Sequence, residues 1–233
     1  MKREIIAVCG RSCAVYHGAN PKAILIQPTG AHEQSALDAE LELIEERCGD
    51  GFLFAAVPVS DWNRELSPWD APPVFGKEGF GNGAAATLGF IERALLPAIG
   101  RQYELPEKLP VILGGYSLAG LFSLWSAYQT DRVAAVAAAS PSVWFPGWIE
   151  AAQRETIRAQ QVYLSLGDRE EKTKNPVMAQ VGTCIRKLEQ RLREQGVDCV
   201  LEWNEGGHFR DAEKRTAAAF AWCVERTQKG DLS

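Results

Sequence analysis

Short apolar runs of strand length alternate along this chain with stretches whose apolar residues recur every three or four positions, the spacing of one helix face. Residues 4–9 and 13–16 read as two strands joined by a turn at Gly10 and Arg11, and 23–27 (AILIQ) as a third. Over 34–49, Leu37, Leu41, Ile44 and Cys48 share a face opposite a row of acids, and Gly49 stands at the helix stop. Residues 52–57 (FLFAAV) give a fourth strand, 84–99 a helix with Leu88, Ile91, Leu95 and Ile99 in register, and 111–113 a fifth strand with a helix beyond Ser117. The sixth strand, 133–139 (VAAVAAA), is built of small residues, as suits a central strand pressed by helices on both faces. A seventh follows at 161–166. Asn175 and Pro176 then open a helix, one as cap and one in the first turn, that carries Val177, Val181, Ile185, Leu188 and Leu192 to Gly196. An eighth strand at 200–203 and a helix at 217–226 complete the pattern.

The first two strands have no helix between them, whereas those from the third onward are separated by helical segments. That order predicts an α/β fold: a mostly parallel eight-stranded sheet with helices on both faces, in a single domain over 1–233 with no separate cap domain. One long segment, 58–83, shows no periodicity and holds Trp62 and Trp69. Irregular stretches of that length in compact domains usually serve function, so this one is expected to wall a site.

Composition narrows the function. The 233 residues are 46% hydrophobic and 24% charged with a formal net charge of -5, and the basic residues are scattered among acids. Nucleic acid and anionic membrane surfaces need concentrated Lys and Arg, so neither is expected as a partner. The N-terminal apolar stretch is too short for a signal peptide and no run is long enough to span a bilayer, which leads to a cytoplasmic expectation. Six cysteines, at 9, 13, 48, 184, 199 and 223, lie in apolar or helical contexts and read as reduced, mostly buried thiols. Cys9, Cys13 and His17 are four apart but lack a second pair of ligands, so no metal and no cofactor is expected. Nothing in the sequence sets an oligomeric state.

The informative turn is GGYSLAG, residues 114–120. It sets Ser117 between a strand end and a helix start, at the edge of a parallel sheet where ligands gather and helix N–H groups favour negative charge. Small neighbours let strand and helix approach closely while the serine is held out of the turn, the geometry of a nucleophile elbow. Gly115 stands two before the serine, but the position two after is Ala119, where glycine is commonest. The same pattern also fits a phosphate-binding turn or plain packing. A base and an acid in the order serine, acid, histidine favour the elbow. Of three histidines, His208 lies in EGGHFRDA after the eighth strand, where Gly206 and Gly207 let the loop bend back toward the serine. Asp168, Glu170 and Glu171 follow the seventh strand in SLGDREE, and spacing does not choose among them.

Together GGYSLAGLFSLW, ASPSVWFPGW, SLGDREE and GGHF resemble the esterase group of α/β-hydrolases that contains the enterochelin and related siderophore esterases, close to the esterase D and feruloyl esterase families. The resemblance implies the α/β-hydrolase fold and hydrolysis of a small-molecule ester through an acyl-enzyme. Ser117 would be the nucleophile and His208 the base. The acid in such relatives often lies three residues beyond the glycine that closes the seventh strand, which implies Glu170 first and Asp168 second; some siderophore esterases work with a Ser-His dyad. This chain is also expected to lack the extra N-terminal domain of the longer enterochelin esterases.

In the expected mechanism the oxyanion is held by the backbone N–H of Leu118 and by one from Thr29, Gly30 or Ala31, with His32 nearby. Trp62, Trp69, Phe75, Trp144 and Trp148 are candidate pocket walls that would suit an aromatic or bulky acyl group, and Asn63 and Arg64 candidate contacts to a polar substituent. The rival reading is a non-catalytic ligand- or partner-binding domain that keeps the elbow for packing. It gives no reason for Ser117 and His208 to occur together in this order.

Overall fold

Strands joined in succession through a helix run parallel in the sheet, whereas the two strands of the first hairpin pair antiparallel. A computed structural model describes residues 1–31 and 36–230. Its eight strands are β1 (Lys2–Val8), β2 (Arg11–His17), β3 (Ala23–Thr29), β4 (Phe52–Pro58), β5 (Val111–Tyr116), β6 (Val133–Ala139), β7 (Gln161–Gly167) and β8 (Asp198–Asn204). They form one sheet in the order β1-β2-β4-β3-β5-β6-β7-β8, antiparallel from β1 to β4 and parallel from β4 to β8. The helices are α1 (Leu37–Cys48), α2 (Trp62–Glu65), α3 (Ala84–Phe90), α4 (Leu96–Gln102), α5 (Leu118–Gln129), α6 (Trp148–Arg154), α7 (Val181–Glu194) and α8 (Ala212–Gly230), with a π-helical turn, Ile91–Leu95, joining α3 to α4.

Strand alternation splits the apolar residues between two cores. Leu25, Phe54, Ile112 and Ala137 meet Leu41 and Ile44 of α1 and Phe220 and Val224 of α8 on one face. On the other, Ile24, Leu53, Leu113 and Val136 meet residues of α3, α5 and α7 such as Leu88, Leu121 and Ile185. Both faces are covered, as a parallel sheet requires.

Several boundaries differ from the sequence pattern. Strand β5 continues through Gly114 and Gly115, residues of low strand propensity. Glycine is required at 114 because a Cβ there would lie 2.6 Å from the Phe220 ring and 2.7 Å from the Ala137 methyl. Asn175 caps as expected, its Oδ1 accepting from the N–H groups of Val177 (3.0 Å) and Met178 (3.2 Å), but the turn it starts is 3-10 at Met178–Gln180 and α7 begins at Val181. The last helix starts at Ala212, five residues early, with a polar first turn that carries no apolar periodicity. Helix α6 was not legible; its seven residues follow Gly147 at φ 80°. Within 58–83 the chain is ordered by α2, capped by Asp61 (3.0 Å to the Arg64 N–H), and by an antiparallel bridge between Ala71 and Phe80.

The thiols divide. Cys13, Cys199 and Cys223 are buried, Cys48 and Cys184 half-buried, and Cys9 alone among the six is exposed, in the β1–β2 turn at φ 46°. Burial pushes the Cys13 thiol up to about 11, away from thiolate chemistry. Among the described residues no helix is long and apolar enough to cross a membrane, and no group of three or more His, Cys, Asp or Glu could hold a metal ion.

Candidate active site

Ser117 sits between the last residue of β5 and the first of α5, with φ 57° and ψ -117°, a region that side chains other than glycine rarely enter. The distortion is held by hydrogen bonds on both sides: its N–H donates to the Ala139 carbonyl (3.1 Å), and its carbonyl accepts from the N–H groups of Leu121 (3.1 Å) and Ser142 (3.0 Å). Gly115 has φ 151°, and a Cβ there would lie 2.7 Å from the Ala119 methyl. The missing side chain at 115 therefore makes room for alanine at 119. Gly120 keeps a close approach of its own, since a Cβ there would lie 3.0 Å from the Gly115 carbonyl and 3.1 Å from Pro141.

The Ser117 hydroxyl lies 3.0 Å from Nε2 of His208, and His208 Nδ1 lies 2.7 Å from Oε2 of Glu170. The Ser142 hydroxyl is 3.2 Å from that of Ser117. A hydroxyl, an imidazole and a carboxylate in this line can move a proton from serine to the ring and stabilise the cation that results. Glu170 is buried in a 3-10 turn, Glu170–Lys172, just beyond β7. Burial alone would push its carboxyl up, but hydrogen bonds and charge from His208, together with donation from the Gly167 N–H (2.7 Å) and the Ser140 hydroxyl (2.8 Å), hold it below the usual carboxylate range.

The other two acids of that turn face elsewhere. Asp168 accepts the Gly206 N–H at 2.8 Å while its own N–H donates to the Asn204 carbonyl at 2.8 Å, which ties the β7 turn to the loop carrying His208. Glu171 pairs with Arg186 at 3.2 Å. Gly206, at φ 106°, gives the loop the bend that brings His208 over the sheet edge.

Beside these groups opens a cavity of about 650 Å³. Phe75, Phe80 and Trp144 form an aromatic wall; Trp62, Met178, Phe209, Tyr116, Ala36 and Ala212 add further apolar lining, Glu40, Asn63, Glu213 and Thr216 polar groups, and Ser117, Leu118, Ser142 and His208 complete the described lining. Phe75, Phe80 and Trp144 meet edge to face with ring centroids 6.1–6.2 Å apart. Phe209 is 95% exposed although it adjoins His208.

Residues 37–212 match the profile of the family described as "Putative esterase". The chain belongs to this family. Membership supports ester hydrolysis as the chemistry of the site. Among curated proteins none matches the sequence. Solved structures with a similar fold include an IroE-like serine hydrolase from Shewanella oneidensis (15% identity, TM-score 0.77, covering 96% of this chain and 80% of that one). Siderophore hydrolase EstA from Aspergillus nidulans is similar over 96% of this chain and 94% of its own (16% identity, TM-score 0.72). The enterobactin esterase FES from Shigella flexneri also matches, at 15% identity and TM-score 0.65, over 96% of this chain but 59% of its own length. At these identities the likeness shows the fold, and the fold is that of the α/β-hydrolases.

Within this family member, Ser117, His208 and Glu170 are brought together, and Trp62, Trp144, Asn63 and Phe75 reach the cavity. Trp69 does not line it: its indole N–H donates to the Pro146 carbonyl at 2.9 Å and its ring packs on Phe145, behind the aromatic wall. Trp148 is buried against Tyr128. Thr29, Gly30 and Ala31 do not line the cavity either. Thr29 ends β3 and Gly30 and Ala31 follow it, at the same end of the sheet as the end of β5, since β3 pairs parallel to β5 with Ile26 opposite Leu113. His32 lies outside the described residues. Sequence reasoning missed Ser140, Ser142, Tyr116 and Arg215. The signal for the two serines is the run ASPS after β6, where small polar residues close a central strand at the ligand-binding edge.

Proposed function

We propose that the protein is a serine esterase acting on small-molecule esters through an acyl-enzyme. The observation that carries this reading is the unbroken line Ser117 Oγ, His208 Nε2 (3.0 Å) and His208 Nδ1, Glu170 Oε2 (2.7 Å). His208 takes the proton of Ser117 as the oxygen attacks the ester carbonyl, then delivers it to the leaving alcohol; water reverses the sequence to release the acid. Glu170 keeps the Nδ1 proton in place and balances the imidazolium, and its lowered pKa keeps it ionised for that task. Asp168 serves the loop and not the ring.

The N–H of Leu118, at the start of α5, belongs to the helix-start amides without an intrahelical acceptor and is the first oxyanion donor. A second is assigned to the end of β3 or the residues just beyond it, at Thr29, Gly30 or Ala31, which stand outside the cavity lining and would supply only a backbone N–H. The aromatic wall favours an ester with a bulky apolar or aromatic half. Apart from His208, the charged residues among the described lining are Glu40 and Glu213. A neutral apolar ester therefore fits this cavity better than an anionic siderophore chelate.

The test is turnover of p-nitrophenyl acetate and a p-nitrophenyl aryl ester against the matching anilides and thioesters. Faster turnover of the aryl ester, weak action on anilides and loss of all turnover in Ser117→Ala are expected. Ester turnover that survives Ser117→Ala would falsify the reading.

A further inference from the structure

We infer that Arg215 is a positioning residue for this hydrolysis, holding Glu170 and the His208 loop in one rigid piece; the inference rests on the serine-esterase reading. Arg215 stands in the first turn of α8 with its side chain 3% exposed. Its two Nη1 protons are shared among three acceptors, Glu170 Oε1 (3.1 Å), the Tyr116 hydroxyl (3.1 Å) and the Ser140 hydroxyl (3.2 Å), so that one of the bonds is bifurcated. Its Nη2 donates to the carbonyls of Glu205 (3.1 Å) and Gly207 (3.3 Å). The donors thus divide between the acid and the backbone on both sides of Gly206.

Proton directions are consistent through the cluster. Ser140 accepts from Arg215 and donates to Glu170 Oε1 at 2.8 Å; Tyr116 accepts from Arg215 and donates to the His208 carbonyl at 2.7 Å. Glu170 Oε1 is therefore occupied by Gly167, Ser140 and Arg215, which leaves Oε2 for the imidazole. When His208 is neutral, Glu170 is a buried anion, and the fixed guanidinium is the charge that compensates it. A planar fork can hold acceptors in two directions at once, which a lysine ammonium cannot do with equal rigidity. Arg215 does not itself line the cavity, and the one lining side chain it touches, Tyr116, keeps its own bond to the His208 carbonyl, so its removal acts chiefly on the geometry of the proton relay.

The experiment measures kcat and KM for a p-nitrophenyl ester with wild type, Ser117→Ala, Arg215→Met, Arg215→Lys, Glu170→Gln and the Arg215→Met/Glu170→Gln pair, each checked for folding by thermal melt. Arg215→Met is expected to lower kcat by about 10- to 100-fold with KM changed less than about threefold, and Arg215→Lys to recover part of the loss. In the pair, Arg215→Met is expected to add less than about threefold to the loss from Glu170→Gln, because the arginine acts through that carboxylate. A folded Arg215→Met with wild-type kcat, or losses that multiply in the pair, would overturn the inference. Should Arg215→Met not fold, Arg215→Lys decides: lowered kcat at unchanged KM supports the role, and unchanged kcat overturns it. Turnover that requires Ser117 but ignores Arg215 sinks this inference alone, whereas turnover absent from wild type or indifferent to Ser117 sinks the esterase reading with it.

Discussion

The cavity beside Ser117 and the cleft between α6 and α7 are of comparable size, about 650 and 520 Å³, and both mix apolar with polar side chains. The cleft is lined by Glu150, Arg154, Lys187, Gln190, Arg191 and Glu194 along two helices, and Arg191 and Glu194 approach each other at 3.9 Å. Long solvated side chains of that kind cost little to place and hold no fixed geometry. The cavity differs in what it adjoins. Ser117 and Ser140 have positive φ, and Glu170 and Arg215 are charged yet buried. Strained backbone and buried charge persist only where the surroundings over-determine them. The contrast teaches that concavity alone marks a place where a molecule fits, whereas strained backbone and buried charge accompany the cavity beside Ser117 and not the cleft.

The comparison breaks first at His208. Its replacement by alanine removes the proton acceptor and is expected to lower kcat/KM by roughly 10⁴-fold or more, read by ester turnover, with the fold retained. Glu170→Gln comes next, at about 10²- to 10⁴-fold in kcat, since glutamine keeps the shape but not the charge that balances the imidazolium.

The same variant carries a signed pH dependence for stability. The Glu170 carboxyl is held below its ordinary value of 4.5, so its ionisation stabilises the fold fully above that value and the contribution is lost as pH falls through the lower native value. Urea midpoints of wild type and Glu170→Gln should therefore draw closer as pH drops from about 6 toward 3. A gap that widens in acid contradicts the assignment of the charge.

Smaller effects sharpen the comparison. Trp144→Ala and Phe209→Ala remove apolar wall from the cavity and are expected to raise KM for an aryl ester by about 3- to 30-fold while changing acetate esters little, as burial of one aromatic contact implies. Lys187→Ala in the α6–α7 cleft is expected to leave kcat, KM and the melting midpoint within error, because an exposed charge there contributes at most a few tenths of a kcal/mol.

How much of this was legible in the sequence depends on how local the cause is. The alternation of apolar spacings predicts a parallel sheet covered on both faces because each strand and helix must bury a face of its own. The turn at Ser117 is readable for the same reason: the steric demand that pairs Gly115 with Ala119 acts within a few residues, whereas the demand at Gly114 comes from Ala137 and Phe220. Helix α6 and the polar start of α8 are not readable, since tertiary packing and a glycine at positive φ define them more than periodicity does.

The choice among Asp168, Glu170 and Glu171 is not local either. It depends on a 3-10 turn that aims one carboxylate inward and on Arg215, 45 positions away, which meets it there. Trp69 illustrates the converse. Its composition suits a pocket wall, but a hydrogen bond to Pro146, 77 positions away, turns it into a brace. Contacts between distant segments decide such roles, and spacing alone carries no record of them.

Intact-mass analysis after treatment with a fluorophosphonate tests the central claim most directly. The account predicts one phosphonyl adduct per chain, mapped to Ser117, absent from Ser117→Ala and slowed in His208→Ala. A folded wild-type protein that takes no adduct, or that takes it at another serine, contradicts it.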